Sequence, residues 1–147
     1  MADTNKKPII TLCGSTRFSE QMLLKQWELS KAGHVVLAWN VIPILYFESL
    51  PNFNGDYAHG AEAEGIEIKG ILDKVHKDKI DLCDEILVIN VNDYIGESTK
   101  SEILYAIETG KLVKYVYPHT PRDWESGVSV AVIHSPKKIN PMKPRRR

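Results

Sequence analysis

"PIITLCG" (Pro8–Gly14) runs directly into "STRFSEQMLLKQWELSKAG" (Ser15–Gly33), and the reading of this junction decides the fold. The first stretch is rich in β-formers and apolar on both faces. That pattern suits a central parallel strand covered by helices above and below. In the second, Phe18, Met22, Leu23 and Trp27 recur at helical spacing. Ser15 or Thr16 can cap the start, and Gly33 can end it.

The same alternation continues along the chain. "HVVLAW" (His34–Trp39) reads as a second strand. Residues 41–65 read as a long irregular loop with Pro43, Pro51, glycines and several rings, and such loops are often functional. From Glu64 to Leu82 the pattern is helical, with Ile68, Leu72, Val75 and Leu82 able to share one face. Asp73–Lys77 and Lys74–Asp78 are opposite charges at i,i+4. "EILVINV" (Glu85–Val91) is a buried strand, Ser98–Thr109 a helix, and "KLVKYVY" (Lys111–Tyr117) a strand.

The order β-α-β-loop-α-β-α-β predicts an α/β domain, a Rossmann-like parallel sheet flanked by helices, over residues 1–118. Residues 119–147 form a C-terminal extension. In it "VSVAVIH" is one more short strand or a surface hairpin, and "SPKKINPMKPRRR" a mobile basic tail. Ligands in such folds bind beyond the carboxyl ends of the strands. The segments expected there are "CGSTRF", "AWNVIP" and "NVNDYIGEST".

The 147 residues are 43% hydrophobic and 26% charged with a net charge of zero, which suits one soluble globular domain. The charge balance offers nothing to polymeric nucleic acid or a membrane surface. No apolar stretch approaches the roughly 20 residues that span a bilayer, and the first residues do not resemble a secretory signal. Cys13 and Cys83 have neither a disulfide framework nor metal-ligand spacing, so they read as reduced thiols of a cytoplasmic protein. No metal or other cofactor is expected.

Four constellations carry the chemistry. Gly14, Ser15 and Thr16 turn a strand into a helix start, where free backbone N–H groups suit a phosphate or carboxylate and Arg17 adds a two-pronged cation. Plain capping accounts for the same residues. Thr99-x-x-Glu102 matches a capping box in the first turn of a helix. Alternatively, the helix dipole holds Glu102 ionised, as a nucleophile on a sugar carbon or a stabiliser of an oxocarbenium-like transition state. Ser98 and Thr99 would hold an anionic group beside it. His76 falls on the packed face of its helix, as a core residue or a site residue. Asp84 either caps the turn into its strand or serves as an acid. The rings of Tyr46, Phe47, Phe53, Tyr57 and His59 either pack the loop or stack on a base.

Together "TLCGSTRF", "KIDLCDEILVIN" and "GESTKSEILYAIETGKLV" resemble the nucleoside 2-deoxyribosyltransferase superfamily. It includes the 2′-deoxynucleoside 5′-monophosphate N-glycosidases. The likeness spans roughly Ile9–Tyr117. It implies a flavodoxin-like sheet, and Glu102 as the nucleophile that cleaves the N-glycosidic bond of a nucleoside or nucleoside 5′-monophosphate. It also implies a phosphate at Gly14, Ser15 and Arg17, a homo-oligomer, and no cofactor. Asp93 and Asp84 are the candidate acids for the leaving base. Two departures bear on specificity. His76 stands where relatives carry a sugar-contacting aspartate, with Asp73 one turn earlier. Gly96 stands where transferases carry an acid, which favours hydrolysis over deoxyribosyl transfer. A non-catalytic nucleotide-binding module is the reading from another class.

Overall fold

The computed structural model describes residues 6–55, 64–125 and 131–132. Its strands are β1 (Ile10–Gly14), β2 (Val36–Leu37), β3 (Glu85–Ile89), β4 (Leu112–Tyr115) and β5 (Ala131–Val132). Its α-helices are α1 (Ser19–Lys31), α2 (Ile44–Ser49), α3 (Ile66–Asp81) and α4 (Glu97–Glu108). Every strand pair is parallel, in the order β2-β1-β3-β4-β5. This is the flavodoxin-like α/β arrangement, and its strand order reverses between β1 and β3. Among the described residues, no helix is long and apolar enough to cross a membrane.

Alternation along β1 and β3 feeds two cores, because successive side chains of a strand point to opposite faces. Cys13, Ile86 and Val88 pack with Val113 and Tyr115 under Ile80 of α3 and Ile103 and Ala106 of α4. Ile10, Leu12, Leu87 and Ile89 pack under Met22 of α1. All five residues of β3 are buried, as its unbroken apolar run predicts.

Several expectations are corrected. The helix after β1 starts later than expected. A 3-10 turn (Thr16–Phe18) comes first, with Ser15 Oγ accepting from the Arg17 N–H at 3.3 Å. In α1 only Met22 of the expected stripe is buried, while Leu23 and Trp27 are exposed. In α3 the buried residues are His76 and Ile80, and Val75 and Leu82 face outward. Lys74 pairs with Asp78 as expected, but Asp73 reaches back to Lys69 at 2.7 Å. The 41–65 segment contains α2, and Phe47 buries itself edge-on against Phe53, with ring centroids 5.0 Å apart.

Residues 119–125 and β5 are the described part of the 119–147 extension. Here "VSVAVIH" contributes a parallel strand beside β4 rather than a hairpin. Tyr57, His59 and the basic tail lie outside the described residues.

Candidate active site

A cleft of about 320 Å³ opens at the carboxyl ends of β1 and β3. Its position is the switch point where strand order reverses, the general ligand position of open parallel sheets. The turn after β1 supplies Gly14, Ser15, Thr16 and Arg17; the start of α4 supplies Gly96, Ser98, Thr99 and Glu102. From α3 come Lys69, Asp73, His76 and Lys79, and Trp39 and Tyr94 supply the rings. Gly14, Ser15, Thr16, Arg17, His76, Gly96, Ser98, Thr99 and Glu102, all expected at the site from the sequence, therefore line one cavity.

Glycine relieves a close approach at the mouth of β1. A β-carbon on Gly14 would sit 3.0 Å from the Ile89 carbonyl oxygen and 3.1 Å from the Trp39 ring. Trp39 is fixed from its other side, its Nε1–H donating to Ser19 Oγ at 3.1 Å. The Arg17 guanidinium lies over the Tyr94 ring, 4.2 Å from its centroid, a cation–π contact that holds the cation at the cleft. Phe18 meets the same ring edge-on, with centroids 6.0 Å apart.

Glu102 is the sixth residue of α4, not a first-turn residue. Gly96 is the N-cap, without a side-chain cap bond, so the expected capping box between Thr99 and Glu102 does not form. Thr99 is instead buried. One turn further in, Glu102 projects to the cleft floor, its side chain 16% exposed. Its Oε2 is buried without a hydrogen-bond partner among the described residues. Burial, with help from Asp73, pushes its pKa up to about 8, against the pull of Cys13, Lys77 and Lys69. The expectation that the helix dipole keeps it ionised is therefore overturned, because desolvation outweighs a dipole effect confined to the first turn.

Beneath Glu102, His76 Nε2 is 3.8 Å from its Oε2 and 3.5 Å from Cys13 Sγ. Burial, then Lys79, lowers the His76 pKa to about 4, with Asp73 opposing. The imidazole is thus neutral near pH 7, and the contact with Glu102 is not an ion pair. Burial, then Glu102 and Cys83, raises the Cys13 thiol well above its usual range. Lys79 donates to the Ala38 carbonyl at 2.7 Å, and burial lowers its pKa.

Two expected acids are elsewhere. Asp84 precedes β3 at the opposite, amino-terminal end of the sheet, where its Oδ2 accepts from the Ile9 N–H at 2.7 Å. It caps the turn and cannot serve a leaving group in the cleft. Asp93 is on the correct end but fully engaged. Its Oδ1 meets Asn90 Nδ2 at 3.0 Å and His119 Nδ1 at 2.7 Å; its Oδ2 accepts from Arg122 and from the Thr120 N–H. Burial raises its pKa, but the hydrogen bonds from Thr120, His119, Asn90 and Arg122 prevail and hold it far below the usual carboxylate range. An acid so stabilised as its anion is a poor proton donor. Asp93 and Asn92 both have positive φ, 57° and 53°, so this knot also fixes the turn that presents Tyr94.

Of the two readings of the loop rings, stacking on a ligand finds no support where they are described: Phe47 packs against Phe53, and Tyr46, Phe47 and Phe53 do not line the cleft. Trp39 and Tyr94 take that place. Their segments, "AWNVIP" and "NVNDYIGEST", were placed at the strand ends by topology, which was the available signal. Lys69 and Lys79 are not singled out by the sequence; only the packing of α3 brings them to the cleft.

No family model matches this chain. No curated protein matches it either.

Proposed function

We propose that this protein breaks the N-glycosidic bond of a nucleoside or nucleoside 5′-monophosphate, with Glu102 as the nucleophile. One observation carries the reading. A carboxyl group with an unpartnered oxygen stands on the floor of the switch-point cleft. Facing it are an anion-suited turn, Gly14–Arg17, and the first residues of α4. The resemblance of "GESTKSEILYAIETGKLV" to the deoxyribosyltransferases points the same way.

In this reading an ionised Glu102 oxygen attacks C1′, and the C1′–N bond breaks with its electron pair going to the base. The base nitrogen takes a proton from water. A second water then attacks C1′, gives its proton to solvent, and releases the Glu102 carboxylate. Ser15, Arg17 and the backbone N–H groups of Ser98 and Thr99 hold the 5′ end, and a sugar so held gains much of its rate from orientation alone. Asp73 and His76, both lining the cleft, flank the sugar. Trp39 and Tyr94 offer faces to the base. If a second base replaces the second water, the same intermediate leads to deoxyribosyl transfer.

A binding-only reading has one specific observation in its favour. Asp93 and Asp84, the acids expected to assist the leaving base, are both committed elsewhere. The test is base release. Wild type and Glu102→Gln are incubated with ribo- and deoxynucleosides and their 5′-monophosphates, and free base is followed by chromatography. Release by wild type, reduced at least about a hundredfold in Glu102→Gln, supports the proposal. Tight binding of intact nucleotide with no release by either protein overturns it in favour of the binding module.

A further inference from the structure

We propose that Cys13, His76 and Glu102 form a binding site for a thiophilic divalent cation of the zinc class, at the floor of the cleft. The ligand atoms, Cys13 Sγ, His76 Nε2 and a Glu102 carboxylate oxygen, all lie within 4.8 Å of one another. Sulfur, imidazole and carboxylate are the three donor types that zinc accepts, and three protein ligands with one open position is its usual catalytic or exchangeable arrangement.

The spacing fits. Tetrahedral zinc, with bonds of about 2.3 Å to sulfur and about 2.0–2.1 Å to nitrogen or oxygen, sets its S and N ligands about 3.5 Å apart and its N and O ligands about 3.4 Å apart. The observed separations are 3.5 Å for Cys13 Sγ to His76 Nε2 and 3.8 Å for His76 Nε2 to Glu102 Oε2. A few tenths of an ångström of movement brings the imidazole and carboxylate to that spacing, and Cys13 Sγ and the Glu102 oxygen start within 4.8 Å of each other.

An independent observation points to a missing partner. Glu102 Oε2 is buried with no hydrogen bond among the described residues, and buried polar atoms are seldom left so. His76 is 6% exposed, and its Nε2 faces the same point. The glycosidic chemistry uses Glu102 but gives no role to a buried thiol 3.5 Å from the imidazole. A cation gives the Glu102 oxygen a partner and engages the thiol and His76 Nε2 together, leaving His76 Nδ1, also buried without a partner among the described residues, for a second contact. It also has a route in, because His76 and Glu102 both line the open cleft.

Binding exchanges protons for metal: the Cys13 thiol and the Glu102 carboxyl release theirs to solvent as Zn²⁺ takes their electron pairs. The ion then occupies the lone pair that would attack C1′. This consequence, inhibition of base release, rests on the function proposed above; the site itself does not.

The experiment uses chelator-treated full-length protein titrated with Zn²⁺ by calorimetry, and with Co²⁺ by absorption. The expected result is one site, with a thiolate-to-cobalt charge-transfer band and tetrahedral d–d bands. Both are lost in Cys13→Ser. In His76→Gln affinity falls by more than the about 10–100-fold that loss of an outer partner costs. His34→Gln, at a surface position away from the cleft, leaves the titration unchanged. Should Cys13→Ser fail to fold, the wild-type cobalt spectrum alone decides: no thiolate band overturns the site. Zinc affinity unchanged in a folded Cys13→Ser overturns it equally. The two proposals separate cleanly. Metal binding without base release by the metal-free protein removes only the glycosidase reading; base release without metal binding removes only this one.

Discussion

The guanidinium carbon of Arg17 lies 4.2 Å from the centroid of the Tyr94 ring, at the rim of the cleft. A cation–π contact at such a site is worth about 0.5–1 kcal/mol. If the proposed turnover of a 5′-monophosphate holds, Tyr94→Leu is expected to raise its KM by about 2–5-fold, with kcat and thermal stability little changed. Steady-state kinetics on a 5′-monophosphate and its parent nucleoside check this. An equal loss on both would mean that Tyr94 does not act through Arg17.

A β-carbon on Gly14 would crowd the Ile89 carbonyl at 3.0 Å and the Trp39 ring at 3.1 Å, so Trp39 must shift to admit one. Overpacking of this kind costs about 1–3 kcal/mol. Gly14→Ala is expected to lower stability by that amount in urea unfolding and to displace Trp39. A change in tryptophan fluorescence of the folded variant would report the displacement.

In metal-free protein, Glu102 makes stability fall as pH rises. Its folded pKa of about 8 is above the roughly 4.3 of an unfolded glutamate. Between these values the unfolded chain gives up the proton that the native state keeps, so unfolding is favoured. Glu102→Gln does not titrate. The variant should gain stability over wild type from pH 5 to pH 8, by about 2 kcal/mol, after allowance for water in the cleft. Denaturation at the two pH values, with chelator present, measures it. A gap that does not grow would place the carboxyl in contact with water throughout.

Nucleophilic attack needs the ionised carboxylate. On the proposed glycosidic chemistry, base release by the metal-free protein is then expected to rise with pH up to about 8 and to level off above it. A rate that falls over this range would make protonated Glu102 a proton donor rather than a nucleophile.

Asp93 behaves in the opposite sense. Hydrogen bonds from Thr120, His119, Asn90 and Arg122 depress its folded pKa, so its stabilisation is present above the unfolded value of about 3.9 and is lost as pH falls through the folded one. Asp93→Asn breaks charge-assisted bonds to Arg122 and His119, and should cost about 1.5–3 kcal/mol at pH 7. The difference from wild type should shrink below about pH 4. Urea titrations at pH 7 and pH 3 compare the two.

Local signals carried the fold. The apolar run of β3 and the strand–turn–helix of Ile10–Lys31 need only short-range patterning, and both formed. Their topology then put Gly14–Arg17 and Ser98–Glu102 at one end of the sheet. The failures are equally specific. Val75 and Leu82 are apolar yet outward, whereas His76, placed on the packed face by its spacing, is indeed buried. Periodicity sees hydrophobicity along one helix, but which stripe is covered depends on where the neighbouring elements lie.

Asp84 and Asp93 show the limit most directly. Both flank β3 and look alike in sequence, but one binds the Ile9 N–H at the far edge and the other is locked by a segment more than 25 residues later. Long-range partners decide what a carboxylate can do, and spacing along the chain does not contain them. Sequence by itself determined the parallel α/β architecture and the two turns that frame the cleft, because backbone preference and apolar alternation act locally. Only tertiary structure decided that Glu102 lies one turn inside α4 against Cys13 and His76. Its charge state depends on what three separate elements bring to within a few ångströms of it, and on how much water they leave there.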